Sequence, residues 1–161
     1  STSAARPPAA ASRPTGMRAL LQRVSQASVV VDGSSVGEIG RGLLVFLGLD
    51  QGDNRDAAQR MLEKLLAYRV FPDAGGRMNR SVVDIAGGVL LVSQFTLSAD
   101  TGKGLRPSFS SAMPPQEARE LYEYLLQALQ QRHQPVAAGV FGADMQVSLI
   151  NDGPVTFLLE V

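Results

Sequence analysis

Two short, unbroken apolar runs constrain this chain most. Leu43-Leu44-Val45-Phe46-Leu47-Gly48-Leu49 and Val89-Leu90-Leu91-Val92 are short for core helices and carry no polar alternation. A strand reads this way when both faces are buried, so other elements must cover the sheet on each side. Two such covers are legible. Ala58, Met61, Leu62, Leu65 and Leu66 fall at helical spacing, predicting a helix from an N-cap at Asp53 to about Tyr68. Pro114-Pro115 favours a helix start, and Ala118, Leu121, Tyr122, Leu125, Leu126 and Leu129 carry its apolar stripe until Pro135 closes it.

The remaining strands follow from turn chemistry. Residues 18–31 alternate loosely and end in Val29-Val30-Val31, before the hairpin signal Asp32-Gly33. Val36 to Ile39 returns as a second strand, and Gly40-Arg41-Gly42 turns again. Residues 73–88 read as loop. The strand at Val89 is expected to continue through Ser93-Gln94-Phe95-Thr96-Leu97, followed by a loop over 98–113. Three further strands are expected over 136–141, 144–150 and 155–161. The result is a single-domain α/β fold with mixed β-sheets, sequence order β-β-β-α-β-α-β-β-β, and helices packed on the sheet.

A chain of 161 residues, 45% of them hydrophobic, suits one domain with a real core. Residues 1–16 are dense in Ala, Pro and Ser and have no apolar periodicity, so they read as an appended or disordered extension, with a transit peptide as the alternative. Met17 opens the patterned domain over 17–161. No run of about 18 apolar residues exists, so no transmembrane helix is expected. Cysteine is absent, which removes disulfides, thiolate catalysis and cysteine zinc sites and fits a cytoplasmic setting. The single histidine, His133, rules out a multi-histidine metal site and sits among polar neighbours, where a solvated position is expected. No phosphate-loop glycine motif is present, and neither metal nor cofactor is expected. Removing Arg6 and Arg13 from the fifteen basic residues leaves thirteen against fifteen acids beyond residue 16. A protein tracking a long phosphate backbone shows a basic face. A nucleic-acid partner would therefore be gripped by a short end rather than along a duplex.

Three groups could carry chemistry. Ser93, Gln94, Phe95, Thr96 and Leu97 follow an apolar strand, where sites form in α/β proteins. Period-2 geometry puts Ser93, Phe95 and Leu97 on one face and Gln94 and Thr96 on the other. The plain alternative is a strand emerging into solvent. Asn151-Asp152-Gly153-Pro154 reads from composition first as a simple turn between strands, and otherwise as bare backbone that can approach another molecule closely. Arg23, in an otherwise apolar strand, is either an edge arginine reaching solvent or a fixed donor that orients a loop or ligand.

Ser93-Gln94-Phe95-Thr96-Leu97 and Asn151-Asp152-Gly153-Pro154-Val155-Thr156 resemble the Ser-Gln-Phe-Thr-Leu and Asn-x-Gly-Pro-Val-Thr motifs of the D-aminoacyl-tRNA deacylase family. Gln22-Arg23-Val24, Arg106-Pro107-Ser108-Phe109 and Ala143-Asp144-Met145-Gln146-Val147 add to the likeness, which runs from Met17 to Val161. The resemblance implies a homodimer with two interface sites and hydrolysis of the ester of D-aminoacyl-tRNA. It implies that Gly153-Pro154 is a cis dipeptide reaching the partner's site and excluding L-amino acids by a clash. Glycyl-tRNA, lacking a side chain, is then a side substrate. Arg23 would hold the dipeptide, with Asn151 beside it, while Phe95 and Met145 flank the terminal adenosine. Thr96 is one candidate nucleophile. It lacks an evident activating base, so hydrolysis assisted by the adenosine 2′-hydroxyl is preferred, with Ser93, Gln94 and Thr96 shaping the pocket. The rivals are an editor of other stereochemistry and a non-catalytic module that holds a nucleic-acid end.

Overall fold

The computed structural model describes residues 16–161, so the extension expected over 1–16 lies outside it except for Gly16. The organising element is β1 (Arg18–Val31). Its first half pairs antiparallel with β3 (Gly42–Gly48) and its second half with β2 (Ser34–Ile39). Its other edge pairs antiparallel with β8 (Gln146–Glu160) along most of its length. β6 (Gly88–Ser93) joins β3 in parallel, and β7 (Val136–Ala138) joins β6 in parallel. Gly37 lets β2 lie against β7, because a Cβ there would stand 2.9 Å from the Ala138 carbonyl oxygen. The sheet thereby curls until it is nearly closed.

Strand period assigns the two faces. Leu43, Val45, Leu47, Val89 and Leu91 pack into one core with both helices, α1 (Arg55–Ala67) and α2 (Pro115–Arg132). Leu44, Leu90 and Val92 point the other way and meet Val24, Val29 and Ile39 inside the curl. This confirms the apolar runs as strands buried on both faces, with both helices on one side. β1 changes allegiance along its length: Ala19 and Leu21 face the helices, whereas Ala27 and Val29 face the curl. Register irregularities against β8 between Gln22 and Gln26 allow the switch. The Asp32-Gly33 hairpin forms as predicted, with φ of 48° and 77°.

Six details differ from the sequence reading. The cap of α1 is Asn54, whose side chain accepts the Ala57 N–H at 2.9 Å. Asp53 instead accepts the Asp50 N–H at 2.7 Å, and burial holds its carboxyl above the usual carboxylate range. The loop over 73–88 contains a small hairpin of β4 (Phe71–Pro72) and β5 (Met78–Arg80). Asp73 organises it by accepting from Gly75 N–H, Arg77 N–H and Asn79, and the Asn79 bond leads in lowering its pKa.

The strand of Val89 ends at Ser93 and gives way to a 3-10 turn over Phe95–Ser98, so the two-face division of Ser93 to Leu97 does not hold. Its partner β3 ends at Gly48, so no ladder continues, and a Cβ on Gly48 would sit 2.7 Å from Leu97 Cβ. The expected strand over 136–141 stops at Ala138, and those over 144–150 and 155–161 are one strand, β8. His133 is buried rather than solvated, with Nε2 2.6 Å from the Gly87 carbonyl oxygen as α2 ends against the sheet.

The capping correction is directly testable. Asn54→Ala should lower the unfolding free energy by about 1 kcal/mol in urea denaturation, as loss of an N-cap acceptor does.

Candidate active site

The end of β6 opens into a cavity of about 630 Å3. That volume lies within the range of small-ligand sites. Ser93, Gln94 and Phe95 form one wall, Phe109 and Met113 another, and Phe141 and Met145 a third. Apolar atoms dominate the lining, and three aromatic rings are present. Phe95 is 66% exposed and tilts against Phe109 with centroids 5.2 Å apart. So large an exposed ring beside a cavity offers a face to a flat ligand. Phe141 packs on Tyr122 from within, at 5.6 Å. The Tyr122 hydroxyl donates to the Leu91 carbonyl at 3.2 Å, and burial pushes its pKa up to about 12.

The 3-10 turn presents backbone rather than reactive side chains. Its internal hydrogen bonding begins with the Leu97 N–H donating to Gln94, so the N–H groups of Phe95 and Thr96 have no acceptor within the turn. Two bonds fix its far end. Arg18 donates to the Leu97 carbonyl at 3.0 Å, and the Ser98 hydroxyl donates to the Leu49 carbonyl at 3.1 Å. The Gln94 amide donates to Thr96 Oγ1. That bond uses one acceptor site of the hydroxyl and supplies no base to take its proton. No carboxylate or imidazole hydrogen-bonds to Thr96 among the described residues. Nor do they contain a cluster of three or more His, Cys, Asp or Glu side chains placed to hold a metal.

Arg23, Asn151, Gly153 and Pro154 form a second cluster on β1 and β8. Asn151 accepts the Val155 N–H at 2.7 Å and donates to Thr156 Oγ1 at 2.9 Å. Its side chain thus spans a bulge within one strand, which is why no turn separates two strands there. Arg23 donates through Nε to the Asp152 carbonyl at 2.9 Å and through Nη1 to the Val70 carbonyl at 2.8 Å. Its side chain is only 11% accessible, so it is a fixed donor that orients backbone, not an edge residue in solvent. The Gly153-Pro154 peptide is cis, and Gly153 has φ 142°, a conformation L side chains rarely adopt. A Cβ on Gly153 would meet Val155 Cγ2 at 2.7 Å and Arg23 Nη2 at 3.2 Å.

None of these four residues lines the cavity. Arg23 is opposite Leu43, and Ser93 is opposite Leu47. That offset is roughly 13 Å along the strands, with three strand spacings, roughly 14 Å, from β8 across to β6. Within one chain the two clusters are apart.

The sequence profile described as D-Tyr-tRNA(Tyr) deacylase matches residues 20–160. The chain belongs to this deacylase family. Membership makes it a hydrolase acting on the ester bond of aminoacyl-tRNA. A D-aminoacyl-tRNA deacylase of Methylococcus capsulatus is 59% identical over 144 residues, covering 89% of this chain and 94% of that protein. One from Herminiimonas arsenicoxydans is 61% identical over 145 residues, covering 90% and 97%. A solved c-Myc DNA unwinding element binding protein superposes with TM-score 0.86 at 42% identity, covering 89% of this chain and 98% of that one. A probable eukaryotic D-amino acid tRNA deacylase shares the fold, with TM-score 0.78 at 18% identity over 90% and 99%. No helix among the described residues is long and apolar enough to cross a membrane.

Of the residues singled out by the deacylase motifs, Ser93, Gln94, Phe95 and Met145 come together at the cavity, and Thr96 follows on the same turn. Sequence reasoning missed Phe141 and Met113 as walls and Arg18 as the tether of the turn. An arginine just inside the first strand, next to buried Met17, was the one available signal for Arg18. Phe141 carried none, because its role arises from the sharp end of β7.

Arg23→Ala should cost about 1–3 kcal/mol of stability, because it leaves the Val70 and Asp152 carbonyls without their charged donor. Urea denaturation measures the loss, and Arg23→Lys should recover only part of it, since one ammonium does not reproduce the fork.

Proposed function

We propose that the chain proofreads chirality: it hydrolyses D-aminoacyl-tRNA, spares the L-esters, and also cleaves glycyl-tRNA. The carrying observation is the separation of two built clusters, a cavity with a backbone-donor turn and a clamped Gly153-Pro154 bulge. A cavity that size holds one nucleoside, with Phe95 and Met145 flanking the terminal adenosine base and Phe141 as a further wall. The scissile carbonyl then lies at the turn, where the Phe95 and Thr96 N–H groups stabilise the oxyanion.

The bulge lies too far away to meet the same aminoacyl group in its own chain. A second copy bringing Gly153-Pro154 over the cavity supplies the missing wall, and its backbone carbonyls reject an L-side chain by contact. β8 is suited to such docking. Among the described residues it pairs only with β1, and it exposes Ile150, Phe157 and Leu158. An apolar edge strand of this length calls for a partner. The working unit is therefore a homodimer with two shared sites. Glycine has no side chain to reject, which makes its ester a substrate of the same filter.

Water is the nucleophile, activated by the 2′-hydroxyl of the substrate's terminal adenosine. The partners of Thr96 support this choice, since its hydroxyl accepts from the Gln94 amide and no carboxylate or imidazole among the described residues bonds to it as a base. Ser93, Gln94 and Thr96 shape the pocket. The net acidic balance beyond residue 16 favours a substrate gripped by its 3′ end over duplex DNA or RNA.

The test is hydrolysis of matched D-tyrosyl- and L-tyrosyl-tRNA, with chelator present. Loss of the D-ester alone is expected. Cleavage of both, or binding without cleavage, would replace this reading with an editor of other stereochemistry or a binding module. Within the D-ester, a 2′-deoxy terminal adenosine should slow cleavage by at least about a hundredfold, the scale of a lost general base. A normal rate would exclude the assisted mechanism.

A further inference from the structure

The acidic balance of residues 17–161 is not spread evenly around the cavity. Arg119, on the first turns of α2, lays its guanidinium 5.0 Å over the ring of Phe141, a cavity wall. Its Nη2 lies 3.7 Å from where a Gly142 Cβ would be, and Gly142 is itself part of the lining. Arg119 is exposed and ion-pairs with no acid among the described residues.

The wall of Phe109 carries a second basic element. Backbone bonds between Asp100 and Ser108, at 2.7 and 3.0 Å, close a protruding loop whose tip holds Lys103, Leu105 and Arg106. Its base is fixed by the Ser111 hydroxyl on the Ser98 carbonyl at 3.1 Å. Both cations are exposed, and Leu105 stands wholly in solvent. The bridge at Ser108 is one residue from Phe109, so the tip is tied to the cavity wall.

The nearby acids are turned to other work. Asp100 accepts the Gly102 N–H at 2.8 Å. Glu117 and Glu120 face a separate hollow with Asp53 and Arg55. Asp144 is the exception: it lies between the lining residues Ala143 and Met145 and, like Arg119, Lys103 and Arg106, stands just outside the lining. Basic side chains therefore flank the mouth on two sides, with Asp144 beside them, although the patterned domain is acidic overall.

We propose that Arg119, Lys103 and Arg106 form a phosphate clamp for the single-stranded 3′ end of the tRNA. The clamp holds the phosphodiesters just before the terminal adenosine, with Leu105 placed to cover an unstacked base. This rests on the deacylase reading and extends it from the adenosine pocket to the strand leading into it. Guanidinium and ammonium groups hold phosphate through charge-assisted hydrogen bonds and read no sequence. The clamp thus serves tRNAs of any identity, as an enzyme acting on many D-amino acids requires.

Two substrates separate clamp from pocket: D-tyrosyl-tRNA and the 3′-D-tyrosyl ester of adenosine, which carries no phosphate. For Arg119→Glu, KM for the tRNA ester should rise about tenfold, with kcat little changed, and the tRNA-to-adenosine preference in kcat/KM should fall by the same factor. Adding Lys103→Glu and Arg106→Glu should flatten the slope of log(kcat/KM) against log[salt] by about 2, since each phosphate neutralised on a single strand contributes about 0.7. Arg119→Lys should restore most of the preference. Arg132→Glu, at the far end of α2, should not alter it.

An unchanged KM and salt slope for the tRNA ester in the triple variant would overturn the clamp. Equal loss on both esters would overturn it too, by placing the damage in the cavity. If the wild-type protein cleaves neither ester, the deacylase reading fails first, and that outcome is distinct from the other two.

Discussion

The pairing of β1 with β8 is the constraint on which both halves of the site depend. β1 carries Arg18 and Arg23 five residues apart, roughly 17 Å along a strand. Arg18 fixes the carbonyl of Leu97 at the end of the donor turn, and Arg23 fixes the carbonyl of Asp152 beside the Gly153-Pro154 bulge. A slip of one residue in this register would send each guanidinium to the opposite face. The ladder is therefore more than scaffold, because it sets the donor turn and the Gly153-Pro154 bulge, the two elements of the proposed site, at a fixed separation.

The site is poor in reactive side chains and rich in positioned backbone. The turn at Phe95 begins with N–H groups that have no acceptor within it, and the Gly153 position leaves no room for a Cβ. In the function proposed above, such a design would place its rate acceleration in orientation and in electrostatic stabilisation of a developing oxyanion. On the proposed reading, discrimination comes from an unyielding wall. Backbone held on both sides by Arg23 and Asn151 yields less than a side chain could, so a clash against it costs more.

Much of this was legible in the residues. Leu43–Leu49 and Val89–Val92 announced strands buried on both faces, and the stripes from Ala58 and Ala118 announced their helical cover. What escaped the reading depended on distant partners. Ser93 to Leu97 looked like continuing strand because nothing local revealed that β3 stops at Gly48. Asn151 to Pro154 looked like a turn because the substitution of the Asn151 side chain for ladder bonds is visible only in three dimensions. His133, polar in its neighbourhood along the chain, is buried because α2 ends against Gly87. The motifs marked Ser93, Gln94, Phe95, Met145 and Arg23, whereas Phe141, Arg18 and Arg119 gained roles only from the fold.

The central claim is that a complete site is shared between two copies, and subunit complementation tests it most directly. One variant carries Phe95→Ala with Gln94→Ala, and the other carries Gly153→Val. Each alone should lack chiral hydrolysis of D-tyrosyl-tRNA. After mixing and subunit exchange, mixed dimers should hold one intact site, restoring about a quarter of wild-type activity. Failure to recover any activity, in mixtures shown to contain mixed dimers, would contradict the shared site and place the whole chemistry within one chain.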